Sequence, residues 1–514
     1  MYLALTLIIG FILRISNILK PEGLWNDEYV SWSIASTPFA EGFWNAVFKQ
    51  CHMPLYYLYL KLFGDNDFML RISSIIPSII SIWVMYKVGN LKNKSLGYLL
   101  AFMTSISGFL IYYSQEVRFY SLLFLFSSLF LYHLLKTLAT PSKKNIIAYI
   151  ISSAMILFTH TIGFIFIACS TIYLLKKIKL PKQVIATIAV IFCTAIPLSI
   201  YIFTHVGVSQ WWSDFSYRNL IFMMTDFFSP ILTNNINIPT KIFYNTSPLF
   251  IIHLIIPTLI AATGILLALI NNKQNRELFY ICAVTTTLLA FTAITGKFVF
   301  ITKYNIEILP ILMFLFAQGV CKQKNWIKWT LILTWCGLQL TYFLTPSYPT
   351  KLPRTEGNRL PALLLAKQKV NPNDIIIFTY YNKDRFSKYI NLENFKTVNI
   401  DKTDIAKYVS DNRKISPEIY IKDRTFLNNQ FNTLVNQNKR TFILFLDSVT
   451  FFSDEHLIAY ADGKTNWKNI HPIYLELSVF KNELIKYGKS HNFVVKSTKM
   501  GSWTLVSLEV ITNE

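Results

Sequence analysis

The chain reads as a series of uncharged apolar stretches separated by short segments that carry lysine. They cover residues 72–86, 95–115, 119–135, 145–175, 183–213, 242–272, 278–296, 308–321 and 329–350, with another near residues 2–19. Each is read as a span, for which a helix needs about 17–25 residues, and 145–175 is ambiguous between one tilted helix and two short ones. The lysines decide. Cytoplasmic loops carry an excess of Lys and Arg, and both 136–144 (Lys136, Lys143, Lys144) and 176–182 (Lys176, Lys177, Lys179, Lys182) are rich in lysine. Two crossings must lie between two inside loops, so 145–175 is expected to form a hairpin turning at Thr159-His160-Thr161. Placing Lys87/Lys92/Lys94, Lys273/Arg276 and Lys322/Lys324/Lys328 inside as well gives eleven helices, the N-terminus cytoplasmic and residues 346–514 outside. The first stretch lacks a basic leader and an A-x-A cleavage site. It is expected to remain a helix, with Arg14 snorkelling near its end.

The outer loops are then about 20–70, 113–118, the apex at 160, 204–246 and 297–304. Loop 20–70 alternates Trp25, Trp32, Phe39, Phe43, Trp44, Val47 and Phe48 with polar residues, which suits helices lying in the membrane interface. After Pro346 the texture changes. Leu360–Lys369 reads as an amphipathic helix, Asn371-Pro372-Asn373-Asp374 as a turn, Ile375–Phe378 and Phe442–Leu446 as apolar strands, Val479–His491 as a helix and Trp503–Val510 as an alternating strand. The expected fold class is therefore a mainly α membrane protein: a polytopic helical domain over 1–345, followed by a soluble α/β domain over 346–514. That second domain contains no glycine-rich phosphate loop, HExxH or GxSxG.

Composition sharpens this division. Only 15% of the 514 residues are charged, where soluble proteins carry about 25%. The deficit is local: 36 of the first 345 residues are charged against 41 of the last 169. A net charge of +21 invites a nucleic-acid partner, but the lysines sit in short loops as orientation signals do, with no basic stripe among aromatics. Membrane lipids are the expected surroundings, and nucleic acid is not an expected partner. Of six cysteines none lies beyond residue 345, so the second domain has no disulfide framework and no CxxC metal site.

Candidate chemistry gathers on the outer side. Eleven acidic residues lie in 1–345, six of them in the first outer loop. Asp27 and Glu28 follow directly on the first span, walled by Trp25, Tyr29 and Trp32. A partly desolvated carboxylate there suits a general base; the other reading is a pair of acids favoured by the dipole of a helix start. In Ser114-Gln115-Glu116-Val117-Arg118-Phe119-Tyr120 the guanidinium of Arg118 suits a bidentate grip on phosphate, or an interfacial pair with Glu116. Lys303-Tyr304 offers a second cation, which Glu307 one turn on is also spaced to neutralise. His52 and His160 are outer-face imidazoles suited to a metal or a hydrogen bond.

In order, these pieces resemble a family. Arg14, then Trp25-Asn26-Asp27-Glu28, then His52-Met53-Pro54-Leu55-Tyr56-Tyr57-Leu58, resembles the opening of GT-C-fold glycosyltransferases such as protein O-mannosyltransferases and lipid A aminoarabinose transferases. Arg71-Ile72-Ser73-Ser74 and Glu116-Val117-Arg118-Phe119-Tyr120 continue the likeness through about residue 165, with an echo at Lys303-Tyr304. The resemblance implies transfer of a hexose or pentose from a polyprenyl-phosphate donor, at the outer face of a bacterial cytoplasmic membrane, to a lipid, glycan or protein. Asp27 matches the catalytic aspartate and Glu28 its neighbour. Arg118 matches an arginine near the donor phosphate, with Lys303 and Tyr304 beside it, and Arg71, Glu116, His52 and His160 are further site candidates. Relatives differ in their use of a divalent metal, so the resemblance leaves that cofactor open. Two departures stand out: His52-Met53-Pro54 replaces His-Pro-Pro, and Lys303-Tyr304 replaces Arg-Tyr. The rival class is a lipid or solute transporter, for which an internal repeat is expected; none is visible.

Overall fold

The computed structural model describes residues 1–16, 18, 23–49, 53–179, 193, 200, 217–229, 248–270, 272–294, 300, 302–344, 359–380, 386, 388–401, 427, 431–432, 435, 440–446, 454–462, 472–491, 493–500 and 503–510. Most of the span expected at 183–213, the loop at 204–246 apart from residues 217–229, and the change of texture at Pro346 lie outside them, as does His52. The chain divides into two compact units. One comprises Met1–Leu19 and Val30–Leu352, the other Lys20–Tyr29 and Pro353–Glu514.

The first unit is helical. It opens with α1 (Tyr2–Ile15), then α2 (Asn26–Ser36, which starts in the other unit), α3 (Phe43–Lys49) and α4 (Leu55–Leu60). Long helices follow: α5 (Asp67–Asn90), α6 (Lys94–Ile106), α7 (Gly108–Ser114), α8 (Tyr120–Ala139), α9 (Lys143–Thr159) and α10 (Gly163–Lys177). After these come α11 (Tyr217–Phe228), α12 (Pro248–Ile270), α13 (Lys273–Ile294), a 3₁₀ segment Thr302–Ile308, α14 (Leu309–Cys321) and α15 (Asn325–Leu344). Among the described residues α5, α8 and Thr302–Cys321 are long and apolar enough to cross a membrane, and α6 with α7 adds a bent pair. The expected hairpin at 145–175 is present as α9 and α10, which break at His160-Thr161-Ile162. Within residues 20–70, Phe39, Trp44 and Leu62 are exposed while Phe43 and Val47 are buried. Lys61 donates to the carbonyls of Ala35 and Thr37 at 2.7 and 2.5 Å, closing the C-terminal end of α2.

Two expectations are corrected. Residues 95–115 do not form one straight helix: the chain bends by 56° between α6 and α7. Nor does Arg14 snorkel. It is fully buried, with Nε donating to Ser78 Oγ at 2.7 Å and Nη1 to the carbonyls of Gly10 and Ser105 at 3.0 and 2.8 Å. Its Nη2 donates to the Thr104 carbonyl at 2.9 Å. The bend explains the burial. A helix end leaves its last carbonyls without partners, and Arg14 supplies donors to those of α6 where its dipole favours a cation. Gln339 holds the other side, accepting from Gly108 N–H at 3.0 Å and donating to Phe228 O at 2.7 Å. Arg14→Met is expected to lower the detergent-solubilised protein's melting temperature, since each stranded carbonyl costs about 1–3 kcal/mol. An unchanged melting curve would show that the guanidinium does not support the bend.

Between α12 and α14 the backbones themselves touch. A Cβ on Gly319 would collide with the carbonyl of Gly264, the small-residue crossing that lets membrane helices approach closely.

The second unit contains a five-stranded sheet of order β2-β1-β3-β5-β4. Its strands are β1 (Ile375–Tyr380), β2 (Lys396–Asp401), β3 (Thr441–Leu446), β4 (Phe493–Met500) and β5 (Trp503–Val510). The first three run parallel, with Ile375 opposite both Lys396 and Thr441, and β5 pairs antiparallel with β3 and β4. Helices α16 (Arg359–Lys367), α17 (Asp454–Ala461) and α18 (Pro472–Ser490) belong to the same unit; α16 packs on β4 and β5, and α18 on β4. Arg440 grips Asp374 through Nε and Nη2 at 3.2 and 2.7 Å where β1 and β3 begin.

Candidate active site

The bend between α6 and α7 turns the chain into the short stretch 115–119, and Gln115 Nε2 ties that stretch to the Arg14 carbonyl at 3.0 Å. Ser74 on α5 donates to the Glu116 carbonyl, and Arg118 N–H donates to the same carbonyl at 2.8 Å. This tight turn aims Arg118 inward, where it is 5% exposed. Its Nη1 donates to Ser31 Oγ on α2 at 3.2 Å. The guanidinium carbon lies 5.4 Å from the centroid of Phe119 and 5.9 Å from that of Tyr120.

Lys303 arrives from the other end of the first unit's sequence. It is 8% exposed, and its Nζ lies 5.7 Å from the Tyr120 centroid and 5.6 Å from that of Tyr304. Both cations thus converge on the ring of Tyr120. The expected alternative for Lys303, a pair with Glu307, is not formed: Glu307 is fully buried, and among the described residues neither carboxylate oxygen has a hydrogen-bond partner. His160 stacks on Phe119 at 4.5 Å and on Tyr304 at 5.4 Å, joining the two cationic segments through aromatic faces. Tyr56 of α4 meets Phe119 edge-on at 6.1 Å. Nearby, Tyr59 donates to Ser73 O at 2.8 Å, and burial pushes its phenol up to about 12, so the hydroxyl remains a donor. Cations held against ring faces away from water attract an anion strongly. The fork of Arg118 and the point charge of Lys303 together suit phosphate oxygens.

Asp27 and Glu28 occupy the first turn of α2 and belong to the second unit. Glu28 is fully buried and accepts from the Trp25 backbone N–H at 3.1 Å. That is half of a capping box, the acid in the first turn reaching back to the residue before the helix. Asp27 is half-buried. Glu28 thus contributes to its own helix start.

Of the other candidates, Arg71 is buried on α5 and its Nη1 donates to Ile18 O at 3.5 Å. Glu116 is buried with its carbonyl in the turn described above. Among the described residues no three His, Cys, Asp or Glu side chains gather as metal ligands do. Nothing local in the sequence marks Ser31 as a partner of Arg118, or the Tyr120 ring as one that two cations share. The nearest signal is the Arg118-Phe119-Tyr120 run itself.

Residues 54–201 match the family of dolichyl-phosphate-mannose-protein mannosyltransferases. No curated protein matches the sequence. Two solved structures of ArnT from Cupriavidus metallidurans, one bound to undecaprenyl phosphate and one in the apo state, superpose with TM-scores of 0.52 and 0.53. Each is 11% identical, and the likeness covers 98% of this chain and 97% of that one. The chain carries the GT-C fold of membrane glycosyltransferases, and its residues 54–201 resemble their dolichyl-phosphate-mannose-protein mannosyltransferase branch.

Proposed function

We propose that the protein transfers a hexose or pentose from a polyprenyl-phosphate donor to an envelope acceptor, a lipid A-type lipid, a glycan or a protein. The observation that carries this reading is the convergence of Arg118 and Lys303 on Tyr120. A lipid phosphate is a competent leaving group once cations take up its charge, so transfer requires no nucleotide. The acceptor hydroxyl oxygen attacks the anomeric carbon while its proton passes to the Asp27 carboxylate. The bond from that carbon to the phosphate oxygen breaks, and its electron pair leaves with the lipid phosphate, against Arg118 and Lys303. One displacement with no covalent intermediate inverts the anomeric centre. The undecaprenyl phosphate bound in a protein of the same fold supports this donor class.

The lysine pattern orients the protein in a bacterial cytoplasmic membrane with eleven helices, and carries the α/β domain and the reaction to the outer face. A reporter active only in the cytoplasm, fused after residue 514, should stay silent. A bright signal would overturn both the orientation and the outer-face site.

The deciding experiment compares envelope glycolipids and glycoproteins, by mass spectrometry, in cells with and without the gene. The expected result is one species lighter by a single sugar residue when the gene is absent. Identical profiles in cells that make the protein would overturn the transferase reading and favour a transporter.

A further inference from the structure

The second unit includes the segment that starts α2. Gly23 has φ +75°, in the left-handed region that glycine tolerates best. A Cβ there would lie 2.8 Å from Cζ and the hydroxyl of Tyr389, and 2.9 Å from Cβ of Arg359. The next residue, Leu24, is fully buried and its backbone N–H donates to the Tyr389 hydroxyl at 2.7 Å. Arg359 in turn covers the Tyr389 ring, its guanidinium carbon 5.1 Å from the centroid. Tyr389 lies on the connection between β1 and β2, where its own N–H is tied to Phe386 O at 2.8 Å and Phe386 stacks on Phe378 of β1 at 5.1 Å. A chain of contacts therefore runs from the core of the sheet through Tyr389 to the residues just ahead of Asp27.

We propose that Tyr389 is a positioning residue for Asp27, its hydroxyl and ring fixing Gly23–Leu24 and thereby the start of the helix that bears the base. This rests on the reading of Asp27 as the base, and it gives the second unit a part in the reaction. A helix start is where a helix frays most readily, because its first N–H groups lack intrahelical partners. Here Glu28 holds Trp25 N–H from inside the helix and Tyr389 holds Leu24 N–H from the sheet side. A base must sit within about 3 Å of the proton it takes, and a displacement of about 1 Å at a reacting group can cost 10²-fold. Gly23 is part of the device, because any side chain there would push the Tyr389 ring away.

The test uses the full-length protein in detergent micelles and in cells lacking the chromosomal gene. Tyr389→Phe keeps the ring and removes the hydroxyl that accepts from Leu24 N–H. Amide exchange over residues 24–30 should quicken by about tenfold, as loss of one hydrogen bond of ordinary worth implies, while exchange in β1 and β3 stays unchanged. The rate of product formation in cells, read by mass spectrometry per amount of protein, should fall by about tenfold for the same reason. Gly23→Ala should give the same pair of effects. Unchanged exchange over 24–30 in Tyr389→Phe overturns the proposal, and so does faster exchange with wild-type product formation. Asp27→Asn, run alongside, separates the two readings. It should lose product with exchange unaltered. An active Asp27→Asn removes the base reading and the object of the positioning with it. Wild-type product from Tyr389→Phe beside an inactive Asp27→Asn removes only the role of Tyr389.

Discussion

Asp27→Asn is expected to slow sugar transfer by about 10²–10⁴-fold, the usual worth of general-base catalysis. The substitution preserves shape and the side chain's place in the first turn of α2, so the fold and the helix start should survive. What disappears is the ability to accept a proton from the attacking hydroxyl. Glu28→Gln makes the contrast. Glu28 is fully buried and its carboxylate accepts from Trp25 N–H, and a glutamine oxygen can still accept that bond. Its loss should therefore be smaller and should track the thermal stability of the protein, which that of Asp27→Asn should not. The measurement is product formed per amount of folded protein in membranes, with the melting temperatures of wild type and both variants recorded alongside. Near-normal transfer by folded Asp27→Asn would falsify the assignment.

The sheet shows where the sequence was legible and where it was not. Strands β1, β3 and β5 are central in the order β2-β1-β3-β5-β4, and their apolar runs or clean alternation declare them. The two missed strands, β2 and β4, are its edges. Their sequences, Lys396–Asp401 and Phe493–Met500, carry Lys396, Lys496 and Lys499, and lysine on an edge strand is how natural sheets blunt unwanted pairing. The hairpin at 145–175 was legible because charge bias demanded two crossings. The bend between α6 and α7 was not, because hydropathy runs unbroken through Ser107-Gly108 while the partners that stabilise the bend, Arg14 and Gln339, lie far away in sequence. The same holds for the site. Arg118 and Lys303 could be singled out by residue type and position, but their meeting at Tyr120 depends on tertiary packing. The Leu24–Tyr389 bond joins residues 365 apart. No local pattern announces such a pair.

Arg118→Ala should lower transfer by about 10²–10³-fold, the scale found when a preorganised group facing transition-state charge is removed. The more informative change is Arg118→Lys. An arginine that merely anchors α8 at the interface could be replaced, since either cation snorkels. The geometry argues against that role: Arg118 is 5% exposed, donates to Ser31 Oγ and lies against the faces of Phe119 and Tyr120. A lysine has neither the planar fork nor the spread of donors needed to keep Ser31 and grip a phosphate together. Arg118→Lys is therefore expected to be impaired in turnover and in affinity for a polyprenyl phosphate, tested with undecaprenyl phosphate as the probe. Lys303→Ala should weaken the same affinity, because the two cations share the Tyr120 ring and should act on one anion. Wild-type affinity and turnover in Arg118→Lys would remove the guanidinium from the phosphate site and leave Lys303 as the cation that faces the leaving group.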